Sequence, residues 1–161
     1  MYIVHPFEPV WTPRSKVLIL GTFPSVTSRE NKFYYGHPRN RFWQVLAELC
    51  SEPIPRTVDE KKLLLIRYDI AVWDVLSACE IIGSDDASIR NPIVNDINGL
   101  VSKCAIKKIL LNGKKAYNLY IKYCSQDSEI PAIYLPSTSP ANASWGMPQL
   151  LAAWGQEIFD C

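Results

Sequence analysis

VLILGTFPS, Val17 to Ser25, is the stretch on which the fold turns. Four apolar residues in succession are too few and too uniform for an amphipathic helix. They read as a strand buried on both faces, spanning Lys16–Thr22. Gly21 lets the backbone leave that strand and come close to a ligand, and Pro24 stiffens the turn behind it. Three further runs have the same build: Ile70–Leu76, Ile106–Asn112 and Ala132–Leu135. Each is short, β-branched or Leu-rich, and stops at Gly, polar residues or Pro.

Helical periodicity fills the intervals. Arg41–Cys50 puts Phe42, Leu46 and Leu49 on one face. Thr57 followed by Glu60 is a capping-box signature that opens a helix to about Tyr68. Asp96–Lys103, Lys114–Cys124 and Pro148–Phe159 follow, the last with a stripe of Leu150, Leu151, Trp154 and Ile158. Strands that alternate with helices predict an α/β protein with a parallel sheet covered on both faces. Cys79–Pro92, CEIIGSDDASIRNP, reads as the longest irregular segment.

The bulk numbers bound the class. A chain of 161 residues is expected to form a single domain, 1–161, with a core of its own. With 48% hydrophobic and 20% charged residues it reads as globular rather than disordered. No apolar run approaches a membrane span, and MYIVHPFEPVW lacks the basic and apolar regions of a secretory signal, so a cytoplasmic protein without a membrane partner is expected. The net charge of +1 gives no global support for a polyanion partner and does not exclude a local one. Five cysteines (Cys50, Cys79, Cys104, Cys124, Cys161) without a CxxC pair read as free thiols in a reducing compartment.

Two loops at strand ends carry the residues that suit chemistry. The first, Gly21–Ser25, is followed by Phe33-Tyr34-Tyr35, whose aromatic faces suit either the stacking of a nucleobase or cover of the sheet edge. Next comes HPRNRFW, His37 to Trp43. Asn40 precedes an apolar helical stripe, so its side chain reads equally as a helix cap or as a carboxamide that holds a water or a base edge. Arg39 and Arg41 read as phosphate contacts or as solvated arginines. The second loop, Ser137-Thr138-Ser139-Pro140-Ala141-Asn142-Ala143, has small residues and backbone N–H groups suited to an anion.

The ordered set GTFPS, YYGHPRNRFW, WDVL, SIRN, ILLNGKKAY and LPSTSPANA, from about Lys16 to Trp154, resembles the uracil-DNA glycosylase superfamily. Within it the chain resembles most closely the hypoxanthine-DNA (deoxyinosine) glycosylase branch. The resemblance implies a three-layer α/β/α sandwich with a short four-stranded parallel sheet. It also implies a hydrolase that flips a deaminated base out of DNA and cleaves its N-glycosidic bond, with no metal or redox cofactor. DNA is the implied partner, and a monomer is expected. Where the uracil enzymes read GQDPY, this chain reads GTFPS, so Phe23 occupies the place of their water-activating Asp. The mismatch-specific branch has Asn at that place. The hypoxanthine branch uses instead the Asn of its HPxN run, which is Asn40 here. The HPSPL loop of the uracil enzymes corresponds to Ser137, Thr138, Ser139, Pro140 and Ala141, so Ser137 replaces a His and Ala141 a wedging Leu. Trp145 is a candidate to aid the wedge.

The expected site follows. The flipped purine stacks on Tyr35 or Phe23, beside Gly21 and Thr22. Asn40 orients a water under the sugar C1′. Asp74 reads the base edge or else caps a helix or turn, and His37 donates to N7 or O6 or else is structural. First-loop N–H groups, with Ser137 and Ser139, stabilise phosphates and the leaving base. Pro24, Ser25, Arg39, Ser139, Ala141 and Asn142 track the DNA backbone. Three other readings remain at this point: a uracil or mismatch glycosylase; a non-catalytic nucleic-acid-binding module of the same fold, supported by the missing acid; and, ranked last for want of a GxGxxG or P-loop run, a small-molecule nucleotide binder at the sheet edge.

Overall fold

The structure, a computed structural model, describes residues 2–124 and 128–158; Phe159 and Cys161 lie outside the described residues. The chain opens with β1 (Tyr2–Val4) and β2 (Val17–Gly21), then runs through α1 (Val26–Asn31), α2 (Phe42–Leu49) and α3 (Val58–Arg67). It continues with β3 (Ile70–Asp74), β4 (Leu76–Ile82), β5 (Asp85–Val94), α4 (Ile97–Val101), β6 (Lys108–Asn112), α5 (Lys114–Tyr123), β7 (Ala132–Leu135) and α6 (Met147–Ile158).

The four apolar runs form one parallel sheet in the order β3-β2-β6-β7. Its side chains alternate between two cores, as a pleated strand demands. Val17 and Ile19 of β2 join Val72, Leu110, the α2 residues Phe42 and Leu46, and Trp154 of α6. Leu18 and Leu20 join Leu111, Ala116 and Tyr120 of α5, Leu100 of α4, and Cys79 and Ile89 of β4 and β5. The sheet is therefore the middle layer of an α/β/α sandwich. Gly21 pairs with Asp74, Leu20 with Leu111, and Asn112 with Leu135, so the four strands end together at one edge. An open sheet of this kind presents ligands at that edge, beside the point where strand order reverses.

Two expectations are corrected. The run Ile70–Leu76 is not one strand: it leaves the parallel sheet after Asp74, and Leu76 begins a second sheet of order β1-β4-β5. Cys79–Pro92 is not irregular but most of an antiparallel hairpin, β4–β5, in which Ile82 faces Asp85 across the two-residue turn Gly83-Ser84. Gly83 has φ +58°, which a hairpin turn requires at its first central position. A helix without a counterpart in the sequence reading is α1, six residues that follow the first loop; Ser25 caps it by accepting from the Ser28 N–H at 3.1 Å. Elsewhere local signals held. Thr57 caps α3 through the Glu60 N–H at 3.1 Å, while the Glu60 carboxylate accepts from Arg56 N, one residue before the cap. Among the described residues Cys50, Cys79, Cys104 and Cys124 are free, and no helix is long and apolar enough to cross a membrane.

Candidate active site

All four carboxyl ends of the parallel sheet meet one cavity of about 320 Å³, at the lower end of the size range for small-ligand clefts. Asp74 comes from β3, Gly21 from β2, Asn112 from β6, and Ser137 and Thr138 from the segment after β7. Thr22–Ser25, Tyr34, Tyr35, His37, Asn40, Ser139, Pro140 and Ala141 complete the edge, with Ser84 and Asp86 from the hairpin. Of the residues expected at the site, Gly21, Thr22, Phe23, Pro24, Ser25, Tyr35, His37, Asn40, Asp74, Ser137, Ser139 and Ala141 line this cavity. Arg39 and Asn142 do not.

Asn40 is a helix cap, the first of the two readings of its side chain. Its Oδ1 accepts from the Phe42 backbone N–H at 2.9 Å, which satisfies a free donor at the start of α2. The same oxygen accepts from the Thr138 hydroxyl at 2.8 Å. A backbone N–H can only donate, so this contact fixes which end of the amide is oxygen. Both lone pairs are then occupied. What Asn40 retains for a ligand is its amide N–H₂, which has no hydrogen bond among the described residues.

Thr138 is fully buried and joins the two halves of the site. Its N–H donates to Asn112 Oδ1 and its Oγ1 accepts from Asn112 Nδ2, both at 3.1 Å. The chain Asn112–Thr138–Asn40 thus runs from the end of β6 through the second loop to the start of α2. Arg41 adds a second tie. Its guanidinium donates to the carbonyls of Ser139, Asn142 and Trp145, and its N–H donates to Thr138 O at 3.0 Å. Arg41 is therefore a clamp on the second loop rather than an open phosphate contact. Asn142 likewise braces the loop, donating from Nδ2 to Ser137 O at 3.0 Å, and Trp145 packs partly buried against the first core. Ser137 and Ser139 accept from the N–H groups of Ser139 and Ala141, and each hydroxyl keeps a proton to donate. At the other end, the Trp154 indole holds Pro136 O at 2.9 Å.

The floor is acidic. Asp74 is 3% exposed, and its Oδ2 meets His5 Nε2 at 2.8 Å. The Phe7 N–H points at His5 Nδ1, at 3.4 Å, so Nε2 carries the proton that Asp74 accepts. His5 is a site residue that the sequence reading missed: an isolated His before Pro, far from either loop, carries no signal of such a pair. The aromatic wall stands above Asp74. Tyr35 sits at φ +52°, stacks on Phe42 with ring centroids 4.0 Å apart, and leaves its hydroxyl buried near the Asn112 amide with no hydrogen-bond partner of good geometry among the described residues. Burial and the nearby Asp74 charge push its ionisation well above the usual phenol range, so it is a neutral donor. An orphaned buried hydroxyl in a cavity wall suits a polar atom of a ligand. Gly21 is needed here: a Cβ would stand 2.6 Å from Asp74 Oδ1 and 2.9 Å from the Tyr35 hydroxyl. His37 Nδ1 accepts from the Arg39 N–H at 3.1 Å, which leaves an Nε2–H to donate. Phe23 meets His5 edge-on at 5.9 Å, and Ser25 is occupied as the α1 cap.

Chemically, the cavity offers an aromatic wall, several neutral donors and an acidic floor. Among the described residues no cluster of His, Cys, Asp and Glu has the arrangement of a metal site. Residues 9–157 match the family described as the uracil DNA glycosylase superfamily. The chain belongs to that superfamily. It is 33% identical over 144 residues to a hypoxanthine DNA glycosylase of Methanosarcina acetivorans, covering 87% of this chain and 89% of that one. A hypoxanthine DNA glycosylase of Methanosarcina barkeri is 32% identical over 140 residues, covering 84% and 86%. The solution NMR structure of a candidate uracil DNA glycosylase from Methanosarcina acetivorans superposes with a TM-score of 0.84 at 29% identity, covering 98% of this chain and 97% of the other.

Proposed function

We propose that this protein is a DNA glycosylase that excises a deaminated purine, hypoxanthine above all, by hydrolysing its N-glycosidic bond in DNA. The observation that carries this reading is the meeting of the Asn40 amide, the orphaned Tyr35 hydroxyl and the second loop in one cavity at the sheet edge. The hypoxanthine-named relatives, aligned over most of their length, support the choice of base. A cytoplasmic location and a monomeric state complete the reading.

The mechanism needs the base out of the stack, at a cost of a few kcal/mol that a mismatched inosine pair reduces. In the cavity, one side of Tyr35 is already taken by Phe42, so the purine meets the remaining aromatic surface of Tyr35 or Phe23. Cleavage leaves negative charge on the departing base. Neutral donors fixed in advance at that point are worth on the order of 10²- to 10³-fold each in rate. In this reading the Asn40 N–H₂, the Tyr35 hydroxyl and the His37 Nε2–H take this role, and Ser137 and Ser139 contact the flanking phosphates. Asn40 thus changes part relative to the sequence reading: its oxygen is engaged, and its nitrogen acts on the base rather than on the water.

The test is direct. Purified protein is incubated with duplexes carrying a single hypoxanthine, uracil or xanthine, and abasic sites are counted after alkaline strand cleavage. The expected result is abasic product on the hypoxanthine duplex in excess of the other two. Tight binding to that duplex with no abasic product would favour the non-catalytic module and overturn the proposal.

A further inference from the structure

The sequence leaves this site without the acid that the uracil enzymes carry in their first loop, because Phe23 stands there. The hairpin supplies another carboxylate to the same space. We propose that Asp86, delivered by the tip of the β4–β5 hairpin, accepts the proton of the attacking water in the excision reaction; this rests on the glycosylase reading above.

The hairpin tip is fastened over the first loop at two points. Ser84 Oγ accepts from the Val26 N–H at 2.9 Å, and Arg29 Nη2 donates to Gly83 O at 2.7 Å. Both partners belong to α1, the helix that follows GTFPS. The backbone below is tied as well: Val75 N–H donates to Gly21 O at 2.8 Å and Leu76 N–H to Thr22 O at 3.1 Å. These ties bring Asp86 into the cavity wall beside Thr22. The hairpin packs in the second core, whereas residues 33–43 pack in the first. Asn40 and Asp86 therefore enter from opposite layers of the sandwich. A base held by donors from one layer and a water held by an acceptor from the other is the layout that hydrolysis requires.

Counting acceptors leads to the same residue. Activation of water needs a free lone pair on a basic group. Asn40 Oδ1 already receives two donors, and the Ser137 and Ser139 oxygens each receive a backbone N–H. Asp74 is the buried partner of His5. Among the described residues Asp86 has no ion-pair partner within contact distance. The groups that face it are Asp74 from the floor, Lys115 from α5, Asp85 on its own strand and the Thr22 side chain; Tyr35 and Cys79 feel its charge. Burial first, then the Asp74 charge, raises its ionisation to about 6, with Lys115 and Thr22 opposing. A base with that value is ionised at neutral pH and still avid for a proton.

The step balances. The water oxygen bonds to C1′ while the C1′–N9 bond breaks, and its electron pair leaves with the purine. One water proton passes to the Asp86 carboxylate and on to solvent, and the departing purine takes one proton from solvent. The net change is the addition of one water.

The experiment is single-turnover cleavage of a hypoxanthine duplex from pH 5 to 8.5 by the wild type, Asp86→Asn and Asp86→Glu, with duplex affinity and melting temperature measured alongside. The wild-type rate should rise with pH through a midpoint near 6. Asp86→Asn should cleave about 100-fold more slowly at pH 7.5, lose that rising limb, bind the duplex within about threefold of wild type and melt no lower. Asp86→Glu should recover part of the rate and the limb. A wild type that cleaves, with an Asp86→Asn variant that keeps both its rate and its limb, overturns the role of Asp86 alone. A wild type that gives no abasic product on any deaminated duplex overturns the glycosylase reading and this inference with it.

Discussion

The two walls of the cavity are held in opposite ways. One wall, residues 33–43 with 137–142, is locked by a polar chain: Asn112 to Thr138 to Asn40, with Arg41 across three carbonyls. The other, the hairpin tip, is held by two tertiary hydrogen bonds to α1 and a two-residue turn. A wall so densely bonded couples site geometry to fold stability, because each site atom also satisfies a backbone group. A wall on a hairpin separates the two. Mutations that break this polar chain on the first wall should therefore disturb stability and cleavage together, and mutations on the second should separate them.

The largest effect tests the first wall at its centre. Asn40→Ala removes the acceptor for Phe42 N–H and the Thr138 hydroxyl, and the free amide as well. We expect hypoxanthine excision to fall by at least about 100-fold and stability by about 1–2 kcal/mol, measured by single-turnover cleavage and chemical denaturation. A loss of stability with full activity would reduce Asn40 to a cap. Gly21→Ala comes next. The new Cβ meets Asp74 Oδ1 at 2.6 Å, and Asp74 is anchored by His5, so relief must come from Tyr35 or the backbone. A cost of about 1–3 kcal/mol is expected, together with weaker binding of the hypoxanthine duplex than of undamaged DNA relative to wild type. Arg41→Met should loosen the second loop at a cost of about 1–3 kcal/mol, with duplex affinity reduced more than the rate at saturation.

The smallest effect concerns the second wall and has an unusual sign. Asp86 ionises at about 6 in the folded protein, above its ordinary 3.8, because of burial and the Asp74 charge. The folded state therefore binds more protons than the unfolded one between those values, and its stability falls as pH rises through about 6. Asp86→Asn removes that penalty. It should be more stable than wild type at pH 7.5 by about 1–2 kcal/mol, discounted for partial solvent access. The advantage should shrink towards zero by about pH 4 as the wild-type carboxyl protonates. An equal gap at both pH values would mean that the hairpin tip does not hold Asp86 in the cavity.

These walls also differ in what the sequence discloses. The parallel sheet was legible because continuous burial leaves a clear trace: VLIL and ILL are buried on both faces, and AIYL, partly exposed at the sheet's edge, keeps the same short apolar build. Its loops were legible because Gly21, Pro24 and the serine run interrupt those strands abruptly. The hairpin was not. Its strands carry acidic, polar and apolar residues together, and β5 has only Ile89 fully buried, so DDASIRNP has no clear period. The one available signal was Gly83-Ser84 between two candidate strands, a pair that suits a two-residue turn. Asn40 shows a different limit. Its spacing before an apolar stripe fixed its place, but whether oxygen or nitrogen faced the cavity depended on Thr138, which lies 98 residues away and contributes only after folding. His5 and Asp74 lie 69 residues apart and are invisible for the same reason.

The central claim is that the Asn40 nitrogen, not merely its capping oxygen, works on the departing base. Asn40→Asp keeps an oxygen for Phe42 N–H and Thr138 and discards the N–H donors. The measurement is single-turnover excision from a hypoxanthine duplex at pH 7.5, with melting temperature as the control for the cap. The account predicts near wild-type melting with excision reduced at least about 100-fold. Wild-type excision by a variant of unchanged melting temperature would contradict it.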